Sequence, residues 1–132
     1  MAVRFKNLSQ FNRELKDFGV KVVPERALAL QKRIALDLLS RIVFRTPVDT
    51  GRARGNWQTA LSESGGTAID AFDKAGTATI SAGASIINAA KPFGVISLFN
   101  NVDYINSLEG GSSKRFPEGM VRVSLAEVEA QF

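Results

Sequence analysis

The amino-acid sequence predicts a single α+β domain over residues 1–132, with two N-terminal helices (one of them long), a small antiparallel sheet and a short C-terminal helix. Three observations support this fold class. Apolar residues recur at helical spacing over residues 24–44, short apolar runs typical of strands follow, and prolines and glycines separate these segments. A chain of 132 residues has the length of one ordinary domain.

The first part of the chain is predicted to be helical. A short helix is expected over residues 8–18, ended by Gly19. Its apolar side consists of Leu8, Phe11, Leu15 and Phe18. The second helix has Pro24 in its first turn and ends before Pro47, because the residue before a proline is pushed out of helical geometry. At about 1.5 Å per residue it is expected to be about 30 Å long.

A sharp turn is predicted directly after the long helix. Pro47 fixes its own φ, Asp49 and Thr50 can accept hydrogen bonds from nearby backbone N–H groups, and Gly51 can adopt a positive φ. Of these residues, Pro47, Asp49 and Gly51 are expected to be structural. Alternating side chains over residues 56–61 then predict a strand.

Beyond this strand, the pattern predicts small elements separated by turns. In chain order they are an irregular or mobile loop over 63–78, a weak helix over 79–90, a strand over 95–101, one or two helical turns over 104–109, a loop over 112–116 and a helix opening at 117–118. The apolar side of the last helix consists of Met120, Val121, Leu125 and Val128.

Composition removes most classes of chemistry. The chain has no cysteine and no histidine, which excludes disulfides, thiolate zinc sites and Ser-His-Asp or Cys-His catalytic systems. Its 13 acidic residues are scattered, and the glycines and lysine of residues 109–115 lack the spacing of a phosphate-binding loop. We therefore expect no catalytic residue, no metal and no cofactor, and a protein that is not an enzyme.

Charge is divided unevenly along the chain. Residues 1–54 carry 12 Lys and Arg against 5 Asp and Glu, a net +7, whereas residues 55–132 carry 5 against 8, a net −3. Such a chain can dock head to tail with copies of itself or bind an acidic partner. The alternative is that the basic residues simply form the solvated face of a helix. No apolar run reaches the length of about 18 residues that spans a bilayer, so no membrane partner is expected.

Several residues are candidates for an interface. Trp, Tyr and Arg concentrate binding energy where proteins meet, and loops reach a neighbour without disturbing packing. The candidates are Arg52, Arg54, Trp57, Tyr104, Glu109, Lys114 and Arg115. For Trp57 the alternative is a place in the core.

Two blocks of sequence resemble a known family. The first is TPVDTGRARGNW, residues 46–57, directly after the long helix. The second begins with the Asn pair at 100–101, continues through Tyr104 and the segment 108–114, and ends with the Pro-x-Gly-Met-Val-Arg pattern of 117–122. In order and spacing they resemble the small neck and tail-completion proteins of long-tailed bacteriophages. The chain departs from the family pattern at Ile105, at 115–116 and throughout 62–95.

The resemblance implies a structural virion protein, a minor tail or neck protein that acts in head–tail joining and viral assembly. Members of this family form rings with other neck proteins and are not known as enzymes. The resemblance therefore implies a closed homo-oligomeric ring of six or twelve copies, built from one patch meeting a different patch on the neighbour. It would be assembled in the cytoplasm of the host bacterium and located in the virion. A channel-lining protein that contacts DNA non-specifically is the alternative, although no nucleic-acid-binding motif is present.

Overall fold

The structure is a computed structural model that describes four stretches of the chain: residues 2–4, 24–63, 65–111 and 118–132. In chain order the elements are β1 (Ala2–Arg4), α1 (Pro24–Arg45), α2 (Arg52–Gly55), β2 (Gln58–Ala60), α3 (Thr77–Asn88), β3 (Ser97–Phe99), α4 (Ile105–Glu109) and α5 (Val121–Gln131). The described stretches form an α+β fold, which confirms the predicted class. Four expectations lie outside the described residues: the helix over 8–18, the loop over 112–116, and the interface candidates Lys114 and Arg115.

Helix α1 organises the fold, as its apolar pattern predicts. Pro24 stands in its first turn, where the backbone N–H that proline lacks would have no partner inside the helix. Glu25 near the start and Arg45 near the end complement the partial charges of the helix termini. The inward face consists of Ala27, Gln31, Ala35, Leu38, Leu39, Ile42 and Val43. Helices α3 and α5 both pack on α1.

The sheet has three antiparallel strands in the order β1-β3-β2. Val3 and Thr59 both lie opposite Leu98 of the central strand. All three residues of β3 are buried, which agrees with the apolar run that predicts a strand over 95–101. The strand expected over 56–61 is confirmed only for the three residues of β2. Strand β1 was not predicted.

The segment between the turn and β2 differs from the prediction. Residues 52–55 form the single helical turn α2, in which Gly55 N–H donates to the carbonyl of Gly51 at 2.8 Å. The helical turn begins directly after Gly51 and buries Ala53. The sequence pattern did not predict α2, because this helical turn depends on backbone hydrogen bonds rather than on an apolar stripe.

The later helices are close to their predicted positions. Helix α3 begins two residues earlier than expected, α4 coincides with the predicted helical turns, and α5 buries Val121 and Val128 as expected. The core is one cluster to which α1, the central strand and α5 all contribute. Its largest fully buried apolar side chains are Leu38, Leu39, Ile42, Ile87, Ile96, Leu98 and Met120. Within the described ranges, no helix is long and apolar enough to cross a membrane.

Candidate functional site

The turn segment, residues 46–57, is the part of the molecule where most candidate residues lie. Gly51 has φ 89°, a conformation that favours glycine. Its carbonyl accepts the backbone N–H of Asp73 at 3.0 Å. A Cβ on Gly51 would stand 2.7 Å from the backbone nitrogen of Lys74. Position 51 therefore favours glycine for two reasons. Glycine adopts the positive φ that the sequence predicts, and its lack of a side chain lets the loop before α3 approach closely.

The other two predicted turn residues have less contact with the protein. Pro47 is half-buried and Asp49 is exposed. The backbone N–H of Arg52 donates to the hydroxyl of Thr50 at 3.3 Å. The expected backbone hydrogen bond is therefore confirmed for Thr50, and the structure gives none for the side chain of Asp49.

Arg54 has a structural role within the chain. Its guanidinium donates to the carbonyls of Phe44 at 3.0 Å, Thr46 at 2.9 Å and Lys74 at 2.7 Å. The first two carbonyls lie at the C-terminal end of α1, where no further helical N–H can reach them. Arg54 therefore caps α1 and fixes the loop before α3 to it. The sequence did not predict this capping role, and contact of Arg54 with a partner stays a prediction.

Trp57 is a core residue. Its side chain is only 3% exposed, and its indole Nε1–H donates to the hydroxyl of Thr46 at 2.7 Å. That hydroxyl in turn donates to the carbonyl of Ile42 at 2.7 Å. A buried indole needs such a partner. The interface expectation for Trp57 is therefore wrong, and its alternative place in the core is correct.

Two buried asparagines, which the sequence reasoning did not select, connect the turn segment to other parts of the fold. Asn56 accepts the backbone N–H of Ile69 at 2.7 Å and donates to the carbonyl of Arg52 at 2.8 Å. Asn100 donates to the carbonyl of Ala53 at 2.8 Å. Asn56 lies in the first block that carries the family resemblance, and Asn100 lies in the second. That resemblance was the feature of the sequence that could have identified them.

The loop before α3 was predicted to be irregular or mobile, and it is irregular but braced. Asp73 accepts hydrogen bonds from the N–H of Gly76 at 3.0 Å and from the N–H and hydroxyl of Thr79 at 2.8 and 2.7 Å. Burial raises the pKa of the Asp73 carboxyl, but these hydrogen bonds and the nearby Arg54 charge outweigh it, so that the pKa lies below its ordinary value. The ionised carboxylate thus stabilises the start of α3.

Glu109 has the same role at the start of α5. Its carboxylate accepts the backbone N–H groups of Met120 at 2.8 Å, Val121 at 2.9 Å and Arg122 at 3.0 Å. These are donors that the helix itself cannot satisfy, and a negative charge there is favourable. Glu109 thus caps α5, a role that the sequence did not predict, and its contact with a partner stays a prediction.

Arg52 and Tyr104 remain available at the surface. Tyr104 is exposed and Arg52 partly exposed. Two phenylalanines in segments bound to the turn segment are also exposed, Phe44 by 51% and Phe72 by 58%. Ile69 is also exposed. We call Phe44, Arg52, Ile69 and Phe72 the turn surface.

Hydrogen bonds attach the segments that carry the turn surface to the turn segment. The carbonyl of Phe44 is bonded to Arg54, the N–H of Ile69 to Asn56, and Asp73, which follows Phe72, to Gly51. Exposed aromatic side chains next to an arginine are typical of protein interfaces.

Arg54, Asn56 and the hydroxyls of Thr46 and Thr50 all bond to backbone atoms of the same chain. Among the described residues, no group of three or more acidic side chains is arranged to hold a metal ion. Chemically, the arrangement braces loops and displays an apolar surface with a cation. Comparisons of the chain with protein-family models, curated proteins and solved structures gave no match.

Proposed function

We propose that the protein is a structural component of the neck or upper tail of a long-tailed bacteriophage, where it joins the head connector to the tail as part of a homo-oligomeric ring. The proposal starts from the two sequence blocks that resemble neck and tail-completion proteins. It also draws on the composition, which includes neither cysteine nor histidine.

The observation that carries the proposal is that the two blocks form one braced unit. Asn100 of the second block donates to the carbonyl of Ala53 in the first, although 47 positions separate them in the chain. Glu109 then ties the second block to the start of α5. Residues of the resemblance therefore maintain the shape of the protein, and the turn surface is left to contact neighbours.

A structural role also accounts for the surface that the braced unit displays. Phe44 and Phe72 are more than half exposed. Exposed apolar area of this kind does not stabilise an isolated soluble chain. Contact with a neighbouring subunit or another neck protein would bury that area. In the assembled particle the turn surface is therefore an interface.

The test is a phage genome in which this reading frame carries an early stop codon. We expect filled heads and complete tails that remain unjoined in electron micrographs of the lysate. Supplying the intact protein from a plasmid should restore joined, infectious particles. Normal numbers of joined particles without the protein would contradict the proposal.

A channel-lining role with DNA contact is the second candidate, and the net +7 of residues 1–54 is what favours it. Several of those cations are already engaged within the chain. Arg41 and Arg45 pair with Glu127, and the Lys32 ammonium donates to the carbonyl of Asn88 at 2.9 Å. DNA binding that weakens steeply with salt would support the channel role, and the absence of such binding would leave the joining role alone.

A further inference from the structure

Helix α5 is joined to α1 through two arginines. Arg45 donates to the hydroxyl of Ser124 at 3.1 Å, and Arg41 donates to the side-chain oxygen of Gln131 at 2.7 Å, so the two helices run antiparallel. The carboxylate of Glu127 lies between these contacts and pairs with both guanidinium groups. Among the described residues, Arg41 and Arg45 make every hydrogen bond and ion pair that joins α1 to α5.

The apolar part of this contact is small and ends before the last turn of α5. The buried side chains of α5 are Val121, Ser124 and Val128, and one of the three is a polar serine. Residues 129–132 are all exposed. The start of α5, by contrast, is held by the three hydrogen bonds that Glu109 accepts. Segments that bury few apolar side chains open locally at a lower free-energy cost than global unfolding.

The ion pairs that hold the second half of α5 are accessible to solvent. The side chain of Glu127 is 39% exposed, and those of Arg41 and Arg45 are 29% and 24% exposed. The pKa of the Glu127 carboxyl lies below its ordinary value, first because of the hydrogen bond from Arg45 and then because of the charges of both arginines. Attraction to the two arginines thus stabilises the ionised carboxylate, and dissolved salt weakens such partly exposed pairs.

We propose that residues 126–132, which we call the latch, open from α1 while the rest of the fold stays intact, and that Glu127 keeps the latch closed. Glu109 holds the start of α5 in place during the opening. Opening releases the guanidinium groups of Arg41 and Arg45 from Glu127, so any ion that binds them favours the open state. The inference concerns the isolated chain and does not depend on the proposed neck role.

Thiol labelling of single-cysteine variants measures the opening, because the natural chain has no cysteine. Val128 is 5% exposed, so a thiol reagent reaches the side chain of Val128→Cys only after the latch opens. Val43→Cys is the matched control. Val43 is fully buried and faces the start of α3, since its Cγ1 would lie 2.8 Å from a Cβ on Gly76. We expect the thiol of Val128→Cys to react at least about tenfold faster than that of Val43→Cys.

Two further measurements separate local from global opening. Urea unfolding of each variant gives the labelling rate that global unfolding alone would produce, and the rate for Val128→Cys should exceed it. Val121→Cys, at the start of α5, should react more slowly than Val128→Cys, because Glu109 holds that end. Hydrogen exchange of the natural chain requires no substitution, and the backbone N–H groups of 126–131 should exchange faster than those of 35–43.

Substitution of Glu127 tests its role in the latch. Glu127→Gln in the Val128→Cys chain should raise the labelling rate about three- to tenfold, since it removes two ion pairs of one network. Glu129→Gln is the matched control, because Glu129 is exposed and the described residues provide no ion pair for it. Raising the NaCl concentration from about 0.1 M to about 1 M should accelerate labelling severalfold when Glu127 is present and much less in Glu127→Gln.

Equal labelling of Val128→Cys and Val43→Cys, each corrected for its stability, would overturn the inference, because α5 would then open only with the whole protein. Equal hydrogen exchange of 126–131 and 35–43 would do the same. If Glu129→Gln accelerated labelling as much as Glu127→Gln, Glu127 would not be the residue that closes the latch. The stop-codon phage tests the neck role separately, and neither outcome there alters the labelling rates.

Discussion

At the level of single residues, the turn segment depends on a glycine that other residues replace only with strain. Gly51→Ala places a Cβ 2.7 Å from the backbone nitrogen of Lys74 and keeps φ at 89°. We expect it to lower the free energy of unfolding by about 1–3 kcal/mol. Gly65→Ala is the matched control, because no heavy atom lies within 4 Å of its added Cβ. Thermal melts of the two variants make the comparison, and equal melting temperatures would contradict it.

The hydrogen bond between Thr46 and Trp57 permits a sharper test of the core. Thr46→Val leaves the buried indole N–H without an acceptor, which should cost about 1–3 kcal/mol. In a Trp57→Phe background the same substitution should cost less, because the donor is already gone. Urea unfolding of the two single variants and the double variant measures the difference, expected at about 0.5–3 kcal/mol. Strictly additive effects would show that the two side chains do not interact.

The predictions from sequence and the structure differ most within the turn segment. Trp and Arg, the residue types at positions 57 and 54, occur both at interfaces and inside proteins. Which of the two applies here depends on contacts with residues elsewhere in the chain, and the local sequence does not show those contacts. Trp57 donates to Thr46 across the turn, and Arg54 donates to carbonyls at the end of α1 and in the loop before α3. The φ of Gly51, by contrast, follows from the local chemistry of a Pro-x-Asp-x-Gly turn and could be predicted.

At the level of elements, Asp73 makes the stability of α3 depend on pH. Its pKa is below the ordinary value of 3.8 in the folded protein, so the unfolded chain takes up its proton first as the pH falls. The stabilisation is therefore complete above about pH 5 and is lost as the pH falls through the folded pKa. Asp73→Asn should remove this part of the pH dependence.

The measurement is the urea midpoint of the natural chain and of Asp73→Asn between about pH 6 and pH 3. The two curves should converge as the pH falls. Glu127, whose pKa is lowered mainly by the hydrogen bond from Arg45, is present in both proteins and does not affect the difference. Curves that stay parallel down to the lowest pH would show that the Asp73 carboxylate contributes nothing.

Elements with a strong local pattern were predicted, and those that depend on distant partners were not. Helix α1 follows from apolar spacing and two prolines, and the central strand from an apolar run. Strand β1 has only three residues, and pairing with β3, more than ninety positions away, defines it. The helical turn α2 likewise exists because Gly51 and Asn56 place its backbone. Neither leaves a periodic pattern in the sequence.

At the level of the whole molecule, the turn surface should matter for assembly and not for folding. Arg52→Glu combined with Phe72→Ser changes two side chains on the outside of the protein. We expect an unchanged melting temperature and loss of complementation of the stop-codon phage, since a favourable charge becomes repulsive at every repeated contact. Arg54 is unsuited to this test, because its reversal would disrupt the cap of α1.

Ser81→Glu combined with Lys91→Glu provides a comparison on another face of the molecule. Full complementation by the Arg52→Glu, Phe72→Ser variant would show that the turn surface is merely solvated. Loss of complementation by both double variants would show that the effect is not specific to the turn surface.

The carboxylate of Glu109 also determines how the molecule tolerates insertions. It holds the start of α5 to the end of α4 by three hydrogen bonds, whatever the length of the connection between residues 111 and 118. Lengthening a connection whose ends are already held together costs only about 0.6 kcal/mol for each doubling. This connection is therefore the place to insert a fluorescent or affinity tag. In a repeating assembly, every copy would then display that tag at an equivalent position.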